Sequence, residues 1–296
     1  MKEPVRSRLP ETEAIAEAAD LDRLSPGALV ATLIEAQRDI ADLVYAQREA
    51  IADVVEEIAR RLQRGGHLHY VGAGTSGRLA TLDAAEIPPT FGVEPDLVHA
   101  HVAGGASALV RAVEGAEDDA AAGEAALGDV DATDAVVGIS ASGGAPFVVG
   151  ALGAARKRGA FTVAIVNGDG SPLGRVAERC IVVHTGAEPI AGSTRMRAGT
   201  GQKIVLNTIS TATMVLLGKV YENLMVDLVA TSRKLHARAV RLVCRLADVE
   251  EVRAAALLDA AGGSVKCAVV MQRRNVRADE ARALLDRHAG RLRELL

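Results

Sequence analysis

Apolar positions in the first quarter of the chain recur at helical spacing. Leu29, Leu33, Ile40, Leu43, Val44, Ile51, Val54, Val55, Ile58 and Leu62 mark one long amphipathic helical region over about 26–64. Ser25-Pro26 opens it as an N-cap with proline in the first turn, and Gly65-Gly66 closes it. The period then changes. Residues 67–71, 97–102, 135–139, 161–166 and 180–184 read as strands, with helical stretches between them near 77–86, 106–127, 145–158 and 172–178. Alternation of this kind predicts an α/β fold, a parallel sheet flanked by helices on both faces. Residues 196–225 are apolar nearly all round and predict a long buried helix, with Lys203 two turns in, near the edge of any site. Three short helical patterns follow at 250–260, 264–273 and 277–288. Residues 1–24 are acidic, alanine-rich and unpatterned. The expected organisation is therefore an N-terminal arm over 1–24, an α/β domain over 25–247 and a small helical module over 248–296.

In such sheets ligands bind beyond the carboxyl ends of the strands, so the segment after each strand matters most. The first strand runs into Gly72-Ala73-Gly74-Thr75-Ser76-Gly77-Arg78 and then a helix that Pro88-Pro89 is expected to stop. The third ends in Ser140-Ala141-Ser142-Gly143-Gly144, the fourth in Asn167-Gly168-Asp169-Gly170-Ser171, and the fifth leads to Gly192-Ser193-Thr194-Arg195. Glycines admit close approach to backbone N–H groups, hydroxyls add donors, and a helix N-terminus carries partial positive charge. Repeated along one edge, this predicts a binding site for a compact phosphate held by Thr75, Ser76, Ser140, Ser142, Ser193 and Thr194, with Gly74 and Gly143 on the same loops. A dinucleotide is disfavoured, because no acidic residue follows a second strand as that fingerprint requires, and no Gly-Lys-Ser/Thr ends a glycine-rich loop.

Composition narrows this reading. Of 296 residues 49% are hydrophobic but only 2% aromatic, with no Trp, so the core must be built from Ala, Val, Leu and Ile. A net charge of −4 offers no clustered basic face for nucleic acid. No apolar run reaches membrane-spanning length and the N-terminus lacks the apolar core of a signal peptide, so a soluble cytoplasmic protein without membrane partners is expected. Cys180, Cys244 and Cys267 stand too far apart for a disulfide framework or zinc knuckle, and Cys180 reads as a small core residue.

Two carboxylates stand out. Glu86 ends the helix that starts at the glycine-rich loop, and Glu117 lies in an acidic run from Glu114 to Asp119. A carboxylate pair can act as general acid and base, although acidic runs are more often solvated faces. His67 and His69, and His99 and His101, share a face in pairs along their strands. No third ligand stands at a compatible spacing, so packing or loop-edge roles are expected and no metal. His236 reads as a surface helix residue able to reach a neighbouring subunit.

Several motifs together resemble one family. Gly72-Ala73-Gly74-Thr75-Ser76-Gly77-Arg78-Leu79, Leu82-Asp83-Ala84-Ala85-Glu86-Ile87-Pro88-Pro89-Thr90-Phe91-Gly92, Ala112-Val113-Glu114-Gly115-Ala116-Glu117-Asp118, Gly192-Ser193-Thr194-Arg195-Met196-Arg197-Ala198-Gly199-Thr200 and Asn223-Leu224-Met225-Val226-Asp227 are similar to those of the N-acetylmuramic acid 6-phosphate etherases. The resemblance spans about residue 25 to the C-terminus. It implies a sugar isomerase (SIS-type) fold, no metal or organic cofactor, and cleavage of the D-lactyl ether of a phosphorylated amino sugar in cell-wall recycling. By position it makes Glu86 the proton donor to the departing lactate and Glu117 the base at carbon 2. A phosphosugar-sensing regulatory protein of the same fold is the second reading, and a lyase or isomerase on a related 6-phosphosugar a third. Retention of both glutamates favours the enzyme.

The chain departs from the family pattern in places. Ile87 stands where that pattern has Cys. Ser142-Gly143-Gly144-Ala145-Pro146-Phe147 stands where it reads Ser-Gly-Arg-Thr-Pro-Tyr, which is expected to remove a cation and donors from the pocket. Thr12-Glu13 is present in the arm, but Ala14-Ile15-Ala16 follows in place of Arg-Asn. Glu86 lies ten residues beyond Ser76, about 15 Å along an unbroken helix. Either the prolines end the helix early and fold the carboxylate back, or Glu86 completes a partner's site. The second alternative is preferred and predicts a homodimer with a shared active site.

Overall fold

A computed structural model describes Thr12, Ala14 and residues 20–228 and 233–296. The arm expected over 1–24 falls mostly outside them. The chain divides into two compact units, 1–84 with 98–209 and 85–97 with 210–296.

The first unit holds a five-stranded sheet of β1 (Leu68–Gly72), β2 (Val98–Val102), β3 (Ala135–Ile139), β4 (Phe161–Val166) and β5 (Arg179–Val182). Their order is β2-β1-β3-β4-β5 and every pairing is parallel. β1, β3 and β4 are buried along their whole length, because helices cover both faces of a parallel sheet. One core cluster gathers Val71, Val136, Ala164 and Val166 from the strands with Val148, Ala151 and Leu152 of α6 (Pro146–Lys157). Small aliphatic side chains let α6 lie close to the sheet, as the aromatic-poor composition requires. The five strands lie within two residues of their expected positions at either end.

The helices differ more. The amphipathic region divides into α1 (Pro26–Glu35), α2 (Ile40–Tyr45) and α3 (Arg48–Leu62), with Ser25 Oγ capping α1 through the Ala28 N–H. Its first break is held from far along the chain. The Arg197 guanidinium donates to the Ala36 carbonyl and to both carboxylate oxygens of Asp39, at 2.9 and 2.8 Å. The stretch 106–127 is not one helix. It forms two short 3₁₀ turns, Gly105–Leu109 and Ala116–Asp118, before α5 (Ala120–Ala126), with Gly104, Gly105 and Gly115 in left-handed conformations at the breaks. A short α7 (Pro172–Val176) lies between β4 and β5.

α4 (Gly74–Phe91) contains both prolines and continues past them. They sit in its last turn, and the Gly92 N–H closes the end on the Pro88 carbonyl at 2.9 Å. α8 (Arg197–Leu216) is shorter than the expected 196–225 helix. Gly218, at φ 75°, turns the chain into a hairpin of β6 (Val220–Tyr221) and β7 (Leu224–Met225).

The second unit contains that hairpin with α9 (Arg233–Ala247), α10 (Glu251–Ala260), α11 (Val265–Arg274) and α12 (Ala278–Arg287). The expected boundary at 247/248 falls inside it, because α9 buries Val240, Val243 and Leu246 in one core with Leu257, Leu258, Val269 and Val270. Lys266 is buried there too. Its ammonium donates to the Gly218 carbonyl at 2.8 Å and to Asp227 Oδ2 at 2.5 Å, and burial pushes its pKa below the usual lysine range. No single helix among the described residues is long and apolar enough to cross a membrane.

Candidate active site

In a sheet ordered β2-β1-β3-β4-β5 the chain reverses direction between β1 and β3, and the crevice at that point is where such folds hold ligands. A cavity of about 480 Å³ opens there. The loop after β1 contributes Gly74, Thr75 and Ser76, and the loop after β3 contributes Ser140, Ser142 and Gly144. Glu117 and Asp118 of the second 3₁₀ turn and Gly192 and Thr194 before α8 complete its polar wall. Six of the eight expected binding residues, and Glu117, therefore line one cavity.

The glycine-rich turn is forced by packing. A Cβ on Gly77 would lie 2.7 Å from Val102 Cγ1 and 2.8 Å from the Gly72 carbonyl oxygen, so α4 rests directly on the ends of β1 and β2. Gly74, Thr75 and Ser76, the first residues of α4, line the cavity, and the first N–H groups of a helix have no partner within it.

The hydroxyls are not equivalent. Ser76 Oγ is buried and donates its proton to Gln202 Oε1 at 2.8 Å. Gln202 Nε2 donates to Asn167 Oδ1 at 2.9 Å, and Asn167 Nδ2 to the Val183 carbonyl at 3.2 Å. This relay ties the β1 loop to the ends of β4 and β5, and it commits the Ser76 proton. Ser140 and Ser142 accept instead, from the Gly143 and Gly144 N–H groups at 3.1 and 3.2 Å, which leaves their protons free for a ligand. Gln202 had no local motif to mark it, and Asn167 stood out only as the first residue of the loop after β4; their network joins residues that only the fold brings together.

Two expected binding residues stand elsewhere. Gly143 is buried, at φ 65°, and a Cβ there would lie 2.4 Å from Ser171 Cβ, so it holds the shape of the loop behind the cavity wall. Ser193 is outside the lining, and its N–H donates to the Ile190 carbonyl at 2.9 Å. Glu188, which the sequence did not single out, is fully buried and accepts from the Arg197 and Ala198 N–H groups at 2.8 and 2.9 Å. A carboxylate therefore already occupies the start of α8. Of the departures from the family pattern, Gly144 and Ala145 line the cavity, whereas Phe147 sits in the core, so its missing hydroxyl takes no donor from the pocket.

Glu117 is exposed and also lines an adjoining cavity of about 210 Å³ with Arg78, Val113 and Glu114. Glu86 is exposed on α4 and lines neither cavity. The helix is unbroken through Glu86, so the prolines do not fold its carboxylate back toward Ser76. Near the middle of α4, Asp83 is buried and accepts from the Tyr70 hydroxyl at 3.1 Å and from Asn207 Nδ2 at 2.7 Å. Burial and the Asp83 carboxylate hold the Tyr70 phenol well above its ordinary value. Lys203 donates to Asn207 Oδ1. Cys180 is half-buried against the core, which pushes its thiol up, and His236 is exposed on α9 in the second unit.

The four histidines do gather. His69 stacks on His99 and His101 at ring separations of 4.8 and 5.3 Å, and burial with the neighbouring imidazoles lowers the His69 pKa to about 4. A third group able to act as a ligand, which sequence spacing did not supply, comes from the turn before β3. Asp134 lies with His67 and His69 so that one donor atom of each falls within 4.8 Å of the others.

Sheet order, loop chemistry and switch-point cavity fit a sugar isomerase (SIS) domain, and comparison with known families identifies it as one. The SIS domain model matches residues 109–211, and that of the glucokinase regulatory protein N-terminal SIS domain matches 50–156. A putative phosphosugar isomerase involved in capsule formation from Bacteroides fragilis superposes with TM-score 0.51 at 20% identity, over 66% of this chain and 94% of its own. A protein from Escherichia coli CFT073 superposes with TM-score 0.50 at 17% identity, over 68% and 97%. Sequence relatives narrow the class. N-acetylmuramic acid 6-phosphate etherases from Halalkalibacterium halodurans and Serratia proteamaculans are 46% and 47% identical over 93% of this chain and 93–94% of theirs. The one from Symbiobacterium thermophilum is 48% identical over 89% and 88%. The chain belongs to the N-acetylmuramic acid 6-phosphate etherase family.

Proposed function

We propose that this protein is a carbon–oxygen lyase that converts N-acetylmuramic acid 6-phosphate and water to N-acetylglucosamine 6-phosphate and D-lactate. The observation that carries this reading is 45–48% identity to etherases along about nine-tenths of both chains. The cavity supports it. Backbone N–H groups of the β1 loop and the free protons of Ser140 and Ser142 suit a phosphate, with Thr75 and Thr194 beside them.

The chemistry needs two carboxyl groups. Opening of the sugar ring exposes an aldehyde, which acidifies the proton on carbon 2. Glu117, on the cavity wall, takes that proton as its base. The electron pair moves toward carbon 3, the carbon 3–oxygen bond breaks, and Glu86 gives its proton to the departing lactyl oxygen. Water then adds to carbon 3 of the unsaturated aldehyde, losing a proton to Glu86, while Glu117 returns its proton to carbon 2. The balance is one water consumed, with both glutamates restored and no cofactor required.

Glu86 is outside the cavity lining, so in this reading it serves the site of a second copy in a homodimer with a shared active site. Nucleic acid and membrane have no part in it, and it takes place in the cytoplasm as a step in recycling cell-wall sugars. The test is D-lactate release from N-acetylmuramic acid 6-phosphate. Glu117→Ala should abolish solvent-deuterium exchange at carbon 2, whereas Glu86→Ala should retain exchange and lose about 10²–10⁴-fold in lactate release. A wild-type protein that binds the sugar phosphate but releases no lactate overturns the reading.

A further inference from the structure

Five polar side chains gather along β1 and its neighbours, and the phosphosugar chemistry uses none of them. His67 and His69 come from the start of β1, His99 and His101 from β2, and Asp134 from the turn before β3. His69 pairs in register with His99, and His101 lies two residues further along the same face.

His69 Nδ1 and His101 Nε2 stand 3.0 Å apart, so one proton lies between them. With that proton on His69 Nδ1, its Nε2 is a lone pair facing Asp134 Oδ2 at 4.0 Å. A lone pair set against a carboxylate is repulsive unless a cation lies between them. His67 Nδ1 stands 3.2 Å from Asp134 Oδ1 on the same side. Donor atoms within 4.8 Å of one another reach one ion at bonds of about 2.0–2.2 Å when side-chain rotation closes them to about 3.4 Å apart, a movement of about 1 Å.

Supporting groups are already in place. The Asp134 carboxylate is held by the N–H groups of His67 and Asp131, at 2.8 and 3.0 Å. His69 is oriented by His101, the arrangement that metal-bound histidines use to fix tautomer and ring plane. The His67 side chain is 45% exposed, which gives an ion a way in.

We propose that His67, His69 and Asp134 form a binding site for a divalent transition-metal ion of zinc-like chemistry, with His99 or water as the fourth ligand. His101 acts as a positioning residue. The ion would tie the starts of β1 and β3 together, at the far end of β1 from the cavity, so its part is structural or regulatory rather than catalytic.

The full-length protein is stripped with a chelator, desalted and dialysed against zinc, and bound metal is counted by mass spectrometry. One equivalent per chain and a zinc-dependent rise in melting temperature are expected. Cobalt should give the visible absorption of a four-coordinate site with imidazole ligands. His67→Ala keeps the backbone bond to Asp134 and so keeps the fold, and it should weaken zinc binding at least tenfold. His101→Gln should weaken it roughly 10–100-fold through the loss of orientation. His236→Ala, exposed on α9, serves as the control and should leave binding unchanged. No bound zinc in the wild type, or His67→Ala binding as tightly as wild type, overturns the proposal.

Discussion

If the cavity holds a phosphate as proposed, single side chains decide how it does so. Ser76 has given its proton to Gln202, so its help to an anion comes from its N–H, while Ser140 and Ser142 keep their protons for the ligand. Gln202→Met fills the same volume but strands the Ser76 hydroxyl and Asn167 Oδ1, at a cost of about 1–3 kcal/mol read from urea unfolding. Gly144 has open space beside it, its would-be Cβ meeting only Ser142 Oγ at 3.4 Å. Gly144→Arg should therefore be accommodated, and should lower KM for the sugar phosphate severalfold with kcat little changed, in the lactate-release assay. His69 sets a pH limit in metal-free protein. Its folded value of about 4 lies below the ordinary 6.5, so as pH falls the unfolded chain takes up the proton first. The stability is complete above about pH 6.5 and is lost as pH falls toward 4, by up to about 3 kcal/mol. Urea midpoints should drop steeply across that window, and His69→Gln should flatten the drop. The serines and threonines were legible because they follow strands. The Ser76 relay and the Asp134 contact were not, because each joins residues more than thirty apart in sequence that only the folded sheet brings together.

At the scale of elements, periodicity located the strands well and the helix ends poorly. A strand buried on both faces is a short apolar run that packing cannot easily displace, as in β3 and β4. The helical region before β1 kept its apolar spacing yet divides, because Arg197 supplies donors to the freed Ala36 carbonyl and to Asp39. α8 stops early because Gly218 takes a left-handed conformation that nothing in the apolar pattern announces. α4 shows the reverse, since it runs on through two prolines in its last turn, although the missing Pro88 and Pro89 donors cost it the bonds to the Ala84 and Ala85 carbonyls. Glu188 is the element-scale feature with the largest expected effect. Glu188→Ala leaves the first N–H groups of α8 buried without partners, and should lower stability by about 2–3 kcal/mol, read from thermal or urea unfolding. Glu188→Gln should recover part of that loss, since an amide oxygen can still accept one bond.

Across the whole molecule, the two glutamates belong to separate compact units, Glu117 to the one built on the sheet and Glu86 to the one containing α9–α12. If Glu86 serves a second copy, Glu86→Ala and Glu117→Ala proteins are each inactive alone but regain activity when co-expressed, up to about a quarter of wild type for random pairing with one intact site per mixed dimer. Activity that stays at the level of either single variant excludes the shared site. The helical unit depends on its own buried ion pair. Lys266→Ala leaves the Gly218 carbonyl without its ammonium donor and Asp227 with Lys219 alone, at 3.6 Å, and should destabilise that unit by about 1–3 kcal/mol. Hydrogen exchange resolved by segment should locate the loss in 210–296.

Tyr70 gives the molecule an optical signature of its own. The chain has three tyrosines and no tryptophan, so its ultraviolet emission is tyrosine emission alone. Tyr45 is exposed and Tyr221 partly so, whereas Tyr70 is buried with its hydroxyl held by Asp83. A phenol hydrogen-bonded to a carboxylate emits weakly, so native Tyr70 is the dark member of the three and brightens when the Asp83 contact opens. Because it stands two residues before Gly72, its fluorescence follows the β1 side of the cavity without any added label.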